Sequence, residues 1–470
     1  MFQNQDTYLG GSKLKVLLIN PAFYDKSEFK NKYNDYLDWV KGGNLYVAPF
    51  EPPLGLAYLT AYLKQRGEEV ELIDMQGLMM DSLELAKVIE RTDAELVGIS
   101  SMTPTFPAAL RVARIVKEKA PKARIMLGGV HPTLDPEGSL SYPEIDFVIR
   151  GEGEEALYGL VKALKGEGSL DEVMGLCYRK DSKVIIKDKA VIQDANSIPS
   201  PDYSAFPVEQ YIKHNEYLRG IRGISMLVSR GCPYDCTFCA VHETMGRRWR
   251  IKSPELLVND IIDLKERYNI EGIWFKDSIF NVNKEWVKDF CNLLLEKKVD
   301  IKFQINTRID LVDEEQIILM KKAGLTQIDF GIESGSDRIL KILHKNIKVE
   351  EIKDKIEIAH RHVKVFGFFM IGIPGETEED ILKTFELAKQ LHLDTSSWSI
   401  YSPLPGSTLY NELVASGKVK KANFEFEEIH FTKAYKGMCD VPSKRVKELY
   451  KEINEYFYKQ KAQSESSNIM

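Results

Sequence analysis

The 470-residue chain lacks the features that would place it in a membrane, on a secretory route or on nucleic acid. No apolar run reaches the ~20 residues that a membrane-spanning helix needs. The polar stretch 1–11 lacks the basic-then-apolar pattern of a signal peptide, so we expect a cytoplasmic protein. The formal net charge of −6 gives no electrostatic basis for nucleic-acid binding. Its aromatic-rich segments remain compatible with contact at a membrane surface.

Cysteine is also scarce, and half of it lies in one short segment. Of the six cysteines, Cys177, Cys291 and Cys439 are scattered, as expected for reduced thiols. The other three have C-x3-C-x2-C spacing and follow an apolar run and an Arg-Gly turn; they are Cys232, Cys236 and Cys239.

Three thiolates in one loop can hold three corners of a [4Fe–4S] cluster and leave the fourth iron open for a small molecule. The alternative is a structural zinc site with His242 as fourth ligand, since such sites are closed tetrahedra. Zinc sites of this kind usually pair two short Cys/His segments, and no second one is present. Disulfides are disfavoured because the thiols are too crowded to pair usefully.

In the N-terminal third, strand and helix patterns alternate and the strands are unbroken apolar runs. This pattern predicts an α/β fold with a doubly wound parallel sheet covered on both faces. Ligands of such sheets bind beyond the carboxyl ends of the strands. Small, hydroxyl-bearing or glycine-rich segments follow the predicted strands, at 20–21, 100–103, 128–133 and 151–153. No GxGxxG follows the first strand, so a dinucleotide site is disfavoured.

The next segment, 166–222, shows no strong catalytic pattern. Val173 to Tyr178 and Lys183 to Ile192 are predicted to form a hairpin, and a proline-stiffened linker follows. The aromatic residues of the segment are predicted to pack as core; they are Tyr203, Phe206, Tyr211 and Tyr217.

From Gly223 the strand–helix alternation resumes, with six repeats that predict a (β/α)6 partial TIM barrel. Barrel chemistry belongs at the carboxyl ends of the strands, and polar or glycine-rich segments stand there. They include Asp277, Arg308, Glu333 and the Gly-Ile-Pro-Gly-Glu-Thr segment 372–377. The alternative for Asp277 and Arg308 is a buried salt bridge, and for the glycine-rich turns simple strand capping.

The cysteine loop and these strand-end segments resemble the radical S-adenosylmethionine (SAM) superfamily over roughly residues 223–410. The first domain is similar to the cobalamin-binding domain that precedes many radical SAM domains. The similarity lies in three motifs: Pro-Pro-Leu-Gly-Leu at 52–56, Gly-Gly-x-His-Pro-Thr at 128–133 and Gly-Glu-Gly-Glu at 151–154. It implies a cobalamin-binding domain at 1–165, a connector at 166–222, the barrel at 223–410, and a helical C-terminal region with a tail at 411–470.

The resemblance implies site residues. The cysteines of the loop would bind the cluster. Asp277 and Arg308 would position SAM or the cluster loop. Glu333 and Ser334 would contact the ribose or the amino-acid portion of SAM. The adenine of SAM would be flanked by Phe238, Ile373 and Pro374. The implied cobalamin contacts are Asn20, Pro21, Leu54, Ser100, Ser101, Met102, Thr103, Gly128, Gly129, His131, Gly151 and Glu152.

The Asp-x-His-x-x-Gly motif of other cobalamin proteins is absent, which implies cobalamin bound without a bond from His131 to cobalt. For His131 the alternative is a loop cap that bonds a backbone carbonyl.

The implied function is that of a cobalamin-dependent class B radical SAM methylase. Reductive cleavage of SAM would give a 5′-deoxyadenosyl radical, and an unactivated carbon of a small-molecule or lipid substrate would receive a methyl group from methylcobalamin. The Mg-protoporphyrin cyclase branch, with oxidative cyclisation, ring rearrangement or C–C coupling, is the alternative, and a non-catalytic sensor is a third. An external one-electron reductant of flavodoxin or ferredoxin type is implied. The aromatic stretch from Phe23 to Phe50 and the C-terminal region are predicted to shape the substrate pocket.

Overall fold

The computed structural model describes residues 14–22, 51–181, 183–215, 218, 220–419, 434–435 and 437–467. The aromatic stretch from Phe23 to Phe50, Tyr217 and residues 468–470 of the tail lie outside these ranges. The described residues form two compact units, one within 14–214 plus 243–246 and the other within 215–242 and 247–467.

The sheet of the first unit has five parallel strands extended by an antiparallel hairpin. The strand order is β2-β1-β3-β4-β5-β6-β7, and the last two pairings are antiparallel. The strands are β1 Lys15–Asn20, β2 Glu69–Asp74, β3 Leu96–Ser100, β4 Arg124–Gly128, β5 Phe147–Ile149, β6 Leu176–Lys180 and β7 Lys183–Ile185. The doubly wound parallel sheet is confirmed, and the hairpin pairs with its edge strand β5.

Helices follow the parallel strands as an α/β sheet requires. They are α1 Leu54–Gln65, α2 Ser82–Ile89, α3 Phe106–Lys119, α4 Val130–Leu134, α5 Pro136–Leu140, α6 Gly153–Leu164 and α7 Val208–Lys213. Helix α2 begins at a capping box, in which the Asp81 carboxylate accepts from the backbone N–H of Glu84 at 2.8 Å. Core residues from the strands and from α6 share one apolar cluster, among them Val16, Leu18 and Leu160.

The second unit is built on six parallel strands in the order β15-β14-β13-β12-β11-β8. The strands are β8 Gly223–Met226, β11 Gly272–Phe275, β12 Lys302–Thr307, β13 Leu325–Glu333, β14 Lys364–Ile371 and β15 Thr395–Ile400. Because each strand pairs with its neighbour in sequence, the arrangement is the expected open (β/α)6 partial barrel. A short antiparallel pair, β9 Ser229–Arg230 and β10 Arg250–Ile251, brackets the segment that contains the cysteine loop.

Helices follow the strands of this unit and continue after the last of them. They are α9 Pro254–Tyr268, α10 Lys284–Glu296, α11 Glu314–Lys322, α12 Asp337–Ile342, α13 Val349–His360, α14 Glu378–Gln390, α15 Thr408–Ala415 and α16 Ser443–Ser467, while α8, Val241–Met245, is divided between the two units. Phe290 of α10 meets the rings of Phe275 and Phe303 at 6.1 and 5.8 Å. None of the helices in the described ranges has the length and apolarity needed to cross a bilayer.

One face of the sheet in the second unit is polar. Strand registers place Ser225, Trp274, Gln304 and Gln327 in one row across four neighbouring strands, all buried. Successive strand residues point to opposite faces, so these side chains line the concave side of the partial barrel. Branched apolar residues usually fill a packed barrel interior, and this row departs from that composition.

Candidate functional site

The cysteine loop is held by hydrogen bonds at its centre. Thr237 donates from its backbone N–H to the carbonyl oxygen of Leu343 at 3.2 Å and from Oγ1 to that of Ile342 at 2.9 Å. Its own carbonyl oxygen accepts from the N–H of Leu409 at 2.9 Å. The thiols of Cys232, Cys236 and Cys239 are free and partly exposed on this anchored loop. Burial raises the pKa of Cys239 to about 11.

Asp277 fixes the strand end that leads into the loop. Its fully buried carboxylate accepts from the backbone N–H of Val228 at 3.1 Å, and from both the N–H and the hydroxyl of Ser229. Burial raises the pKa of Asp277 to about 6, and the bonds from Ser229 and Val228 oppose that rise. The Asp277 side chain therefore organises backbone rather than forming the alternative salt bridge.

Arg308 touches the cysteine loop directly. Its Nη1 donates to Sγ of Cys236 at 3.3 Å, and its guanidinium lies 3.8 Å from the ring centroid of Tyr234. Its carboxylate partner is Asp310, at 2.8 Å. Nη2 donates to the carbonyl oxygen of Lys345 at 2.7 Å. One buried cation thus links the loop to the segment after α12.

Glu333 ends β13 with a positive φ of 70° and meets a lysine that sequence reasoning missed. Its Oε1 lies 3.3 Å from Nζ of Lys345, and both side chains are largely buried. A Cβ atom at Gly331 would lie 2.6 Å from Oε1 of Glu333 and 3.2 Å from Nζ of Lys345, so the pair occupies space that this glycine leaves open. No spacing in the sequence marks Lys345, because its role depends on a partner twelve residues away, on the other side of helix α12.

Ser334 lies beside Glu333 and its hydroxyl is bonded within the protein. It is fully buried, 3.1 Å from Oγ1 of Thr384, and it accepts from the N–H of Ser336 at 3.2 Å. These bonds show Ser334 shaping the loop after β13.

Phe238 and Ile373 belong to one apolar cluster, together with Met370 and Tyr401. Pro374 follows Ile373 in the turn that leaves β14. This cluster brings the residue before Cys239 to the strand end that was expected to flank the adenine.

Glu376 lies in the strand-end segment 372–377 that the sequence marks, but the role of its side chain was not predicted. It is fully buried, and its Oε2 accepts from the backbone N–H groups of Gly372 and Ile373 at 2.5 and 3.0 Å. Burial raises the pKa of Glu376 to about 8. Gly372 has a φ of 78°, so the carboxyl group stabilises a turn that requires glycine. A glutamate five residues after a strand end is a common pattern, and only the fold shows that its carboxyl group turns back to the strand end.

In the first unit, the predicted cofactor segments after β3 and β4 lie together. Ser101 donates from its N–H to the carbonyl oxygen of Gly128 at 2.8 Å, and His131 donates in turn to that of Ser101 at 3.1 Å. Gly129 has a φ of 104°, and a Cβ there would lie 2.6 Å from the Ser101 oxygen. Asn20 ends β1 and Pro21 follows it on the same edge of the sheet. Ser100 ends β3, Met102 and Thr103 precede α3, and Leu54 begins α1.

The turn at Gly151 and Glu152 is bonded to the segment after β7. Oε2 of Glu152 accepts from the backbone N–H of Ile192 at 2.7 Å, and a Cβ at Gly151 would collide with the carbonyl oxygen of Ala190. These bonds show both residues holding this segment against the sheet edge.

His131 is buried, with its ring 4.0 Å from the ring of Phe106. Burial lowers the pKa of His131 to about 4, so the imidazole is neutral at physiological pH.

The donor sets fit the expected cofactors. No three His, Cys, Asp or Glu side chains in the described part of the chain converge closely enough to share a single metal ion. A [4Fe–4S] cluster binds each thiolate to a different iron and therefore spaces them more widely. The partly exposed thiols beside a buried arginine suit such a cluster, and the glycine-rich edge of the first sheet suits a broad, flat ligand.

Comparison with known proteins agrees with both units. Residues 226–388 match the family model of the radical SAM superfamily, and residues 41–161 match that of the B12 binding domain. An uncharacterized methyltransferase of Pyrococcus horikoshii is 33% identical over 376 residues, which cover 79% of this chain and 81% of the relative. The anaerobic magnesium-protoporphyrin IX monomethyl ester cyclase of Rubrivivax gelatinosus is 29% identical over 429 residues, 89% of this chain and 72% of the cyclase.

A solved structure shares the fold. That of the radical SAM methyltransferase TsrM from Kitasatospora setae, with cobalamin and a [4Fe–4S] cluster bound, matches with a TM-score of 0.70 and 18% identity. The match covers 86% of this chain and 75% of TsrM.

Proposed function

The chain belongs to the radical SAM superfamily and carries the B12-binding domain of its cobalamin-dependent branch, and we propose that it is a methyltransferase acting on an unactivated carbon. A [4Fe–4S] cluster, SAM and cobalamin are the cofactors that this family membership implies. The observation that supports SAM binding and cleavage is the contact of Arg308 with both Cys236 and Lys345, and the alignment with the Pyrococcus horikoshii methyltransferase favours methyl transfer. The Arg308 contact places the cysteine loop and the Glu333–Lys345 pair at one mouth of the partial barrel.

The residues at this mouth complement the amino-acid end of SAM. Cys232, Cys236 and Cys239 would hold the cluster and leave its fourth iron open. The Nζ of Lys345 and the carboxylate of Glu333 offer one positive and one negative group, which match the carboxylate and ammonium groups of SAM. Because both side chains are largely buried, their field at the ligand is screened less than at the surface.

The apolar cluster around Phe238 and Ile373 provides a water-poor wall for the adenine. Glu376 supports that wall by fixing the backbone of Gly372 and Ile373. When bound, the cluster and SAM supply a 5′-deoxyadenosyl radical and cobalamin supplies the methyl group.

The polar concave face favours a methyl acceptor with hydrogen-bonding groups over a wholly apolar lipid. The row of Ser225, Trp274, Gln304 and Gln327 lies on the barrel floor, and Nε2 of Gln327 donates to Oδ1 of Asp329 at 2.7 Å. Hydrocarbon packed against such a row would meet polar rather than apolar side chains. A flat or polar small molecule fits this composition better.

Methyl transfer can be tested without the natural substrate. The holoprotein is incubated anaerobically with SAM labelled on its methyl group, cobalamin and a strong reductant. We expect S-adenosylhomocysteine in proportion to bound cobalamin, with label in the corrinoid fraction. Absence of S-adenosylhomocysteine from protein with full cobalamin and cluster content would rule out the methyltransferase proposal.

The second candidate is an oxidative cyclase, favoured by the alignment with the Rubrivivax gelatinosus cyclase over 89% of this chain. A cyclase would form 5′-deoxyadenosine without S-adenosylhomocysteine, and its product would lose hydrogens rather than gain a CH2 group.

A cytoplasmic setting and a flavodoxin- or ferredoxin-like reductant are also part of the proposal. A non-catalytic sensor, the third class, would form no 5′-deoxyadenosine under reducing conditions.

A further inference from the structure

Asn20 and Asp74 face each other at the end of the first sheet where a ligand is expected. They are Cα partners in the parallel pairing of β1 with β2. The order β2-β1-β3-β4-β5 reverses direction between β1 and β3, and a crevice opens beyond the carboxyl ends at such a switch point. Asn20 stands at this crevice, and Asp74 lies one strand further out.

Asp74 is fully buried, yet it receives donors from several directions. Nδ2 of Asn20 donates to its Oδ1 at 2.8 Å, and the backbone N–H of Gly77 donates to the same atom at 3.2 Å. The hydroxyl of Tyr211, a buried residue of α7, donates to Oδ2. Only glycine fits at position 77, because a Cβ atom there would collide with the Asp74 carboxylate.

These bonds determine which way the Asn20 amide faces. Since Nδ2 is committed to Asp74, the carbonyl oxygen Oδ1 points away from it, and a flipped amide would set that oxygen against a carboxylate. The backbone of Asn20 is fixed as well, because its carbonyl oxygen accepts from the N–H of Met75 at 3.0 Å. Asn20 is only half-buried, whereas Asp74 and Tyr211 are fully buried. The amide is therefore an oriented acceptor at the edge of the crevice.

We propose that Asp74 is a positioning residue for the corrinoid, which holds Asn20 so that its Oδ1 accepts a hydrogen bond from a peripheral amide N–H of cobalamin. Cobalamin carries carboxamide groups around its ring, and these are the donors that such an acceptor would recognise. Tyr211 helps to position Asp74, since its hydroxyl donates a hydrogen bond to the other carboxylate oxygen. The inference rests on the proposed cobalamin dependence and adds the residues that fix the geometry.

A double-mutant cycle on the full chain tests whether Asp74 acts through Asn20. Aquocobalamin is titrated into Asn20→Ala, Asp74→Ala and the double variant, with binding followed by absorption. We expect each single variant to bind roughly tenfold more weakly, as for the loss of one hydrogen bond, and the double variant to bind no more weakly than either. An additive loss, or unchanged affinity in Asp74→Ala, would overturn the inference.

Asp146→Ala is the matched control. Its carboxylate accepts from Nζ of Lys117 at 2.8 Å and from the N–H of Ile125 at 2.7 Å, at the opposite end of the strands. It should lose stability and keep its cobalamin affinity. If Asp74→Ala does not fold, Tyr211→Phe and its combination with Asn20→Ala form the same cycle with a smaller expected loss. Failure of the wild-type chain to bind aquocobalamin would refute cobalamin dependence itself, which is a different result from altered coupling.

Discussion

Arg308 donates a hydrogen bond from Nη1 to Sγ of Cys236 at 3.3 Å while its Nη2 donates to the carbonyl oxygen of Lys345 at 2.7 Å. A single guanidinium thus joins the proposed cluster loop to the segment that carries the proposed SAM cation. The planar fork of arginine suits this double contact, and lysine could not reproduce it.

Replacing Arg308 should weaken retention of the cluster. In Arg308→Ala the thiolate of Cys236 loses a charged donor, and we expect roughly tenfold faster release of iron to a chelator under anaerobic conditions. Arg308→Lys should recover only part of the loss. The control is Arg361→Ala, whose half-exposed side chain pairs with Glu314 at 3.6 Å, far along the chain from the loop. Equal rates of iron release from Arg308→Ala and the control would contradict a role for Arg308 in retaining the cluster.

Replacing Lys345 should weaken SAM binding. Lys345→Met keeps the length of the side chain and removes the charge that we assign to the SAM carboxylate, so the dissociation constant should rise roughly tenfold. Lys341→Met, an exposed position on α12, is the matched control. Binding is measured by calorimetry on cluster-loaded protein. A normal dissociation constant in Lys345→Met would remove Lys345 from the SAM site.

Glu376 should make stability depend on pH. Its pKa is about 8 in the folded protein and 4.5 in the reference state, so the folded chain holds an extra proton between these values. This contribution to the free energy of unfolding is full below pH 4.5 and is lost as pH rises through about 8. Glu376→Gln is neutral throughout and should remove a decline on the order of a few kcal/mol. Anaerobic urea titrations of both proteins at pH 6 and 8.5 measure the difference. If the free energy of unfolding falls equally in the wild type and in Glu376→Gln between these pH values, Glu376 is not the group that titrates.

His131 should not ligate cobalt. Its ring is buried against Phe106, which agrees with the missing Asp-x-His-x-x-Gly motif. We expect the EPR spectrum of bound cob(II)alamin to be unchanged when histidine is labelled with ¹⁵N. A change of the nitrogen superhyperfine splitting from three lines to two would identify a histidine ligand.

Most of the fold could be predicted from the sequence, because the pattern of apolar residues matches the residues that the structure buries. The apolar runs of β1 and β3 are fully buried, and the six strand–helix repeats after Gly223 form the parallel sheet that they predict. The cysteine spacing predicts the cluster loop for a similar reason, since three ligands on one short segment meet without help from the rest of the chain.

Partnerships across the fold could not be predicted in this way. Lys345, Glu376 and Asp74 have no distinctive spacing, and each gains its role from a partner that folding brings to it. Ser334 and Glu152 illustrate the reverse, because residues expected to face a ligand have their polar atoms bonded to Thr384 and Ile192. A sequence shows which groups are available, but not which of them the backbone itself will use.

The most direct measurement of the central proposal is 5′-deoxyadenosine formation by anaerobically reconstituted protein with cluster, cobalamin, SAM and a low-potential reductant. We expect mass spectrometry to detect 5′-deoxyadenosine from the wild-type chain and none from a variant with Cys232, Cys236 and Cys239 all replaced by alanine. If wild-type protein with full iron and cobalamin content forms no more 5′-deoxyadenosine than the triple variant, the chain is not a SAM-cleaving enzyme.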